Sequence, residues 1–144
     1  AGFMNVMRVK LAPDSPLAMR GNKYPASQVG LENLLLKLIE KGKRDRRMPD
    51  CKVDIDENVT WEDHPAMQVT VTHERPSQLV DFHRAVIIFD RKVNLPVSYS
   101  AFLWPKASGE EAPLEEQYIY HDLKINVGLT AEDFNPDNPA YDFP

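Results

Sequence analysis

Residues 67–72, which read Met-Gln-Val-Thr-Val-Thr, decide the fold class of this chain. Met67, Val69 and Val71 alternate with polar residues, which is the period-two pattern of a strand buried on one face only. The stretch from Cys51 to Asp56 repeats this pattern, with lysine and aspartate at the alternate positions. Strands with one apolar face are typical of an antiparallel sheet, so these two segments predict a sheet of that kind.

Further apolar segments are separated by short polar turns, of which Asn58–Pro65 and Asp90–Asn94 are the clearest. The additional strands are predicted at His83–Phe89, Leu95–Trp104 and Leu114–Ile125, with another near the start at Phe3–Leu11. Sequential strands with short connections pair with their neighbours and form an antiparallel meander.

One amphipathic helix precedes this meander. Its apolar stripe at helical spacing consists of Leu31, Leu34, Leu35 and Leu38. Ser27 is the predicted N-cap, and Leu36 and Ile39 widen the stripe, which predicts that the helix lies deep against the sheet. The chain is therefore predicted to be α+β, a curved antiparallel β-meander, or half-barrel, packed on one long amphipathic helix.

The composition fits one domain covering residues 1–144. The net charge of −5 and a single basic run at residues 37–47 do not fit a nucleic-acid-binding protein, which would spread its cations over a face. This basic run lies at the C-terminal end of the predicted helix, where cations interact favourably with the negative end of the helix dipole. Peripheral contact with an anionic membrane is the second interpretation of these cations.

The alternating segment Phe3–Leu11 stands at the very start of the chain and is typical of a strand inside a domain. This position suggests the C-terminal part of a longer exported protein. In that case the sheet would have an open edge, which a second copy of the chain or a missing N-terminal segment would cover.

Sequence motifs for catalysis are absent. There is no glycine-rich phosphate loop, no G-x-S-x-G and no H-E-x-x-H, which excludes the common nucleotide-binding and hydrolase classes. The four histidines lie on separate segments, at His64, His73, His83 and His121. Cys51 lies on an apolar strand face, where a small core residue is favoured over a nucleophile. We therefore predict no catalytic residue, no metal site and no cofactor.

Aromatic side chains cluster on the last two predicted strands. They are Tyr99, Phe102, Trp104, Tyr118 and Tyr120. Alternation places Phe102 and Trp104 on one face and Tyr99 on the other, so one set belongs to the core. The other set either is incidental or lines a hydrophobic concavity. Because one helix covers only part of so much apolar sheet, these five are the predicted ligand-binding residues.

Four segments carry a resemblance to a known family. They are SPLAMRGNKYP at 15–25, DFH at 81–83, NLP at 94–96 and LKINVGLT at 123–130. They resemble an uncharacterised family of exported bacterial proteins, of the DUF1571 type, over nearly the whole chain. That family has no established activity, so the resemblance implies export and supplies no catalytic residues.

A second resemblance rests on a strand, a turn ending in Leu95-Pro96, two long strands, then Asn126 and Phe134. This order is similar to the closing half of the LolA/LolB-like half-barrel of periplasmic lipoprotein carriers. The resemblance implies a periplasmic, non-enzymatic protein that binds a lipid or a lipoprotein segment on a curved sheet.

Two alternatives remain open. A helix wrapped by a meander is also the plan of cystatin-like and NTF2-like cones, some of which are enzymes, and Asp81, His83 and His121 would then supply acid–base groups at the cone mouth. In the other alternative the loop Pro13–Pro25 and the basic helix end form a docking surface for another protein.

Overall fold

The structure, a computed structural model, describes residues 11–135 and 137–141. The chain divides into two compact units, which are described separately: Ala1–Val29 with Lys124–Pro144, and Gly30–Leu123. Apart from Leu11, the strand predicted at Phe3–Leu11 lies outside the described residues. That all 144 residues form a single domain stays a prediction.

The second unit contains a five-stranded sheet whose strands follow one another in chain order. The strands are β1 (Cys51–Trp61), β2 (His64–His73), β3 (Arg84–Asp90), β4 (Leu95–Phe102) and β5 (Leu114–Ile119). Every neighbouring pair is antiparallel. The predicted meander is confirmed.

One helix, α1 (Leu31–Asp45), packs on this sheet. Leu34 and Leu38, one turn apart, contact the buried core. The core residues are Phe82, Ala85, Ile87, Tyr99 and Ala101. The α+β fold class is therefore confirmed, with α1 covering one face of an open, curved sheet.

The strand register defines the two faces of the sheet. Val71 pairs with Val53 on one side and with Ala85 on the other, so these side chains share the face that α1 covers. We call it the helix face. Thr70 and its partner Val86 lie on the other side, which we call the opposite face.

Contacts between the two ends of the meander show how strongly the sheet curves. In a flat sheet, β1 and β5 would lie about 19 Å apart, since neighbouring strands are spaced by about 4.8 Å. Yet the rings of Trp61, at the end of β1, and His121, just after β5, stack with centroids 5.9 Å apart. Glu62 and His121 also form an ion pair, with Oε1 and Nδ1 2.6 Å apart. The sheet and its first hairpin therefore curl until the turn end of that hairpin meets the segment after β5.

Strand boundaries differ from the prediction by one or two residues in β3 and β4, and by more at two places. The predicted turn at Asn58–Pro65 is too long, because β1 continues to Trp61 and the chain reverses through Glu62 and Asp63 alone, both with left-handed φ (45° and 64°). The last strand ends at Ile119 instead of Ile125.

The helix also differs from the prediction at two points. It begins at Leu31 after Gly30, whose φ of 130° suits glycine, while Ser27 lies in a separate 3-10 turn. Leu36 and Ile39 are both more than half exposed. The helix therefore contacts the sheet along a narrow stripe and does not lie deep against it.

The first unit contains short turns. A capping box forms at Thr130–Asp133, where the backbone N–H and the hydroxyl of Thr130 both donate to the Asp133 carboxylate, at 2.6 and 2.9 Å. These hydrogen bonds lower the pKa of Asp133. Within the described part of the chain, no helix is long and apolar enough to cross a membrane.

Candidate functional site

The narrow contact of α1 leaves part of the helix face uncovered. Val53 and Ile55 of β1 point to this face, yet they are 51% and 60% exposed. Met67 and its cross-strand partner Phe89 continue the same face and are half-buried. We call these four residues the open strip. It is apolar surface joined directly to the core through Val69, the partner of Ile55.

A groove of about 450 Å³ lies at one end of the open strip. Its lining residues are Met67, Phe89, Asp90, Arg91 and Asn94. The volume is within the range of sites for small molecules, about 300–1,000 Å³. The groove combines an apolar wall from the open strip with a polar wall from the turn between β3 and β4.

Hydrogen bonds fix the polar wall of the groove. The buried Asp90 carboxylate accepts the backbone N–H of Lys92 at 2.6 Å, and the Asp90 carbonyl accepts the N–H of Asn94 at 2.9 Å. Arg91 lies 3.2 Å from the Glu57 carboxylate. The Asp90 carboxylate holds the turn, and Arg91, which is paired with Glu57, and Asn94 are the other polar residues of the groove lining.

Two of the predicted aromatic residues pack on the helix face. Tyr99 is only 3% exposed, meets Phe82 edge-on and stacks on its cross-strand partner Tyr118 with centroids 6.1 Å apart. Both hydroxyls lie 3.5 Å from the Glu116 carboxylate. Tyr99 is thus part of the core, and a ligand-binding role for this pair stays a prediction.

The other three predicted aromatic residues lie elsewhere in the unit. Phe102 is on the opposite face, with the Arg84 guanidinium 4.5 Å from its ring centroid. Trp104 follows β4, and its Nε1 donates to the carbonyl of His73 at 3.2 Å. Tyr120 follows β5 and is half-buried. None of the five lines the groove described above, so their role in binding also stays a prediction.

The groups proposed for an enzymatic cone have separate partners. Asp81 forms an ion pair with Lys41 at 2.7 Å, and His121 pairs with Glu62. The ring of His83 contacts the backbone carbonyl of His73 through Nδ1, at 2.8 Å. Among residues 11–135 and 137–141, no three acidic, histidine or cysteine side chains are grouped so that they could hold a metal ion.

A buried acid and a buried histidine join α1 to the sheet, which the sequence did not predict. Asp45, the last residue of α1, has its Oδ2 3.4 Å from Nε2 of His73, and both side chains are buried. Arg44 donates to the other Asp45 oxygen at 2.8 Å. The Asp45–His73 contact is long, and neither ring nitrogen of His73 makes a well-directed hydrogen bond in the described structure.

Cys51 lies opposite His73 on the helix face, so cysteine, histidine and aspartate come near one another. The surroundings of Cys51 nevertheless disfavour the thiolate form that a nucleophilic cysteine needs. Burial raises the pKa of the Cys51 thiol, and the negative charges of Asp45 and Asp50 raise it further. Cys51 is therefore held in the unreactive thiol form at neutral pH.

We expect the rate of reaction of Cys51 with iodoacetamide to keep rising with pH beyond the ordinary range of a cysteine thiol. The physical reason is the raised pKa, because only the thiolate reacts. The measurement is a pH–rate profile by mass spectrometry, with the same protein in urea as the reference. A rate that reaches its plateau near neutral pH would contradict this account of the thiol.

Comparison with known proteins gives one match. The family model described as a protein of unknown function (DUF1571) matches residues 1–143. No curated protein and no solved structure matches the chain significantly. The likeness to the lipoprotein-carrier half-barrel is not confirmed by any of these comparisons and stays a prediction.

Proposed function

Because the chain belongs to the family of proteins of unknown function DUF1571, its function has to be inferred from its own residues, and we propose that it is a non-enzymatic protein that binds an apolar ligand on the open strip. The ligand group that fits is an acyl chain, from a lipid or a lipoprotein. The observation that carries the proposal is the exposure of Val53 and Ile55 on the face that also forms the core.

The arrangement of the strip supports a chain-like ligand. Val53 and Ile55 lie along β1. Met67 of β2 and Phe89 of β3 continue the strip across these two strands to the groove. A ligand could lie along the strip and end in the groove, where Arg91 and Asn94 supply polar contacts. An aliphatic chain needs no directed hydrogen bonds, and the exposed parts of the strip offer none.

Energetic magnitudes indicate a moderate affinity. Full burial of an aliphatic side chain contributes roughly 1.5–3 kcal/mol, so the exposed halves of Val53 and Ile55 together offer about 2 kcal/mol. Micromolar binding requires about 8 kcal/mol. Val53 and Ile55 alone are therefore insufficient, and the groove, which includes Met67 and Phe89, must contribute the larger part. We expect micromolar binding or weaker.

A non-enzymatic function is supported by the separate partners of Asp81, His83 and His121, and by the raised pKa of Cys51. The proposal places the protein in the periplasm or another exported location, on the strength of the sequence resemblance. Peripheral contact with a membrane would let such a protein exchange an acyl chain with the bilayer.

The test is a fluorescence titration with N-phenyl-1-naphthylamine, whose emission rises in apolar sites, followed by displacement with oleate. We expect wild-type protein to bind the probe and release it to oleate. Val53→Asp and Ile55→Asp should each weaken binding about tenfold or more, because they place a carboxylate where the chain would lie. Both positions are over half exposed, so the variants should remain folded.

Ile119→Asp is the matched control. Ile119 is 43% exposed, but it pairs with Ser98 on the opposite face, away from the open strip. It should bind the probe like the wild type. Equal weakening by all three substitutions, or the absence of oleate-displaceable binding, would refute the proposed function.

A further inference from the structure

The outer edge of β1 is long and exposed. β1 has 11 residues, against a usual strand length of about 5–6. Among the described residues, no strand pairs with its outer side, and residues 52–58 are all exposed. Its regular part runs from Cys51 to Asp56, where the register with β2 shifts. Such an edge presents backbone N–H and C=O groups to another extended chain.

The side chains of this edge differ between the two faces. Val53 and Ile55 lie on the helix face, and Asp54 and Asp56 lie on the opposite face. Lys52, the one cation in this stretch, forms an ion pair with Glu74. The edge therefore presents alternating aliphatic and acidic positions.

These charges disfavour a second copy of the chain as the occupant. Antiparallel pairing of two β1 strands about Asp54 would place two aspartates directly opposite each other. If the two-fold axis relating the two strands passed at Val53, Asp50 of one copy would lie opposite Asp56 of the other. If it passed at Ile55, Asp54 of one copy would lie opposite Asp56 of the other. Like charges in directly opposed positions destabilise a strand pair. Lys52 would meet an aspartate in the first two of these registers, but it is already paired with Glu74.

We propose that the outer edge of β1 binds an extended peptide segment of a partner protein in which aliphatic residues alternate with lysine or arginine. The segment adds a sixth strand beside β1 through main-chain hydrogen bonds. Its aliphatic side chains pack beside Val53 and Ile55, and its cations lie opposite Asp54 and Asp56. Both proposals use Val53 and Ile55, but this inference does not depend on acyl-chain binding, because the backbone edge and the acids of the opposite face carry it.

The first test uses a blocked heptapeptide of alternating lysine and valine, with binding measured by isothermal titration calorimetry. A peptide of the same residues without alternation is the control for charge alone. Two further versions of the alternating peptide carry backbone N-methyl groups on every second residue. One version is methylated at the lysines (the first frame) and the other at the valines (the second frame). Because only alternate amides of a strand face its neighbour, one frame should abolish binding and the other should preserve it.

The second test reverses the charges of the edge. Asp54→Lys with Asp56→Lys should weaken binding of the alternating peptide by about tenfold or more, since two favourable cross-strand pairs become repulsive. The matched control is Glu110→Lys with Glu111→Lys, the same change of charge in an exposed loop. The control should bind the peptide nearly as well as the wild type.

Three results would overturn the proposal. The first is equal binding of the alternating and rearranged peptides, and the second is equal binding of both methylated frames, since either indicates adsorption by charge. The third is a dimer of the wild-type protein, seen by analytical ultracentrifugation, that the peptide dissociates. That result would assign the edge to a second copy.

Discussion

Replacing Tyr99 with alanine is expected to lower the free energy of unfolding by about 4 kcal/mol, the usual cost of removing a buried aromatic ring. Tyr99 is 3% exposed and contacts both Phe82 and Tyr118 with favourable ring geometry. The loss would be a large share of the roughly 5–15 kcal/mol that stabilises an ordinary domain. The measurement is a urea titration followed by circular dichroism.

Tyr120→Ala is the control for this prediction. Tyr120 comes directly after β5 and is half-buried, so Tyr120→Ala should lower the free energy of unfolding by less than half as much as Tyr99→Ala. If the two variants unfolded at the same urea concentration, Tyr99 would not be a core residue. The predicted ligand-binding role of Tyr99 would then gain weight.

Asp45→Ala is the substitution with the second-largest expected effect. A carboxylate at the C-terminus of a helix is unfavourable by about 0.5 kcal/mol, so alanine should relieve that repulsion. Against this, removing the carboxylate loses the hydrogen bond from Arg44 and leaves the buried His73 ring without its polar neighbour, which together cost about 2.5 kcal/mol. The second effect is larger, and we expect a net destabilisation of roughly 2 kcal/mol.

The control for Asp45→Ala is Asp54→Ala, which removes an exposed aspartate from the adjacent strand β1. It should change stability by no more than about 0.5 kcal/mol. A His73→Leu background provides the further test, because the two substitutions should be strongly non-additive if the side chains act as a pair. Additive effects would show that Asp45 stabilises the protein through another contact.

Much of the sheet could be predicted from alternation alone. The pattern in residues 67–72 gives β2 and its apolar face, and the same pattern from Cys51 to Asp56 gives the start of β1. The boundaries were harder to predict, because a reversal can occur in two residues. Asp63 tolerates the left-handed conformation that such a reversal needs, and this was the available signal for the end of β1.

The candidate site could be predicted only in part. Alternation placed Val53 and Ile55 on the apolar face, but it could not show that they are exposed. Their exposure depends on which leucines of α1 contact the sheet, and Leu31, Leu34, Leu35 and Leu38 are equivalent in the periodic pattern. The structure uses Leu34 and Leu38 at the core, and β1 remains outside the area that the helix covers.

The Asp45–His73 contact could not be predicted from the sequence either. Asp45 lies within a basic run, where a single negative charge forms no recognisable pattern. His73 lies 28 positions away in the sequence. Local patterns carry no signal for such a pair, since it forms only when the helix end packs on β2. The same is true of the groove, which combines Met67 with the turn after β3.

Photo-crosslinking with a diazirine-bearing fatty acid tests the central claim most directly, because it maps where an acyl chain lies. We predict that adducts, located by peptide mass spectrometry, concentrate on Val53, Ile55, Met67 and Phe89 and disappear when excess oleate is added. Adducts that persist with excess oleate, or that spread over the opposite face and spare the open strip, would contradict the account.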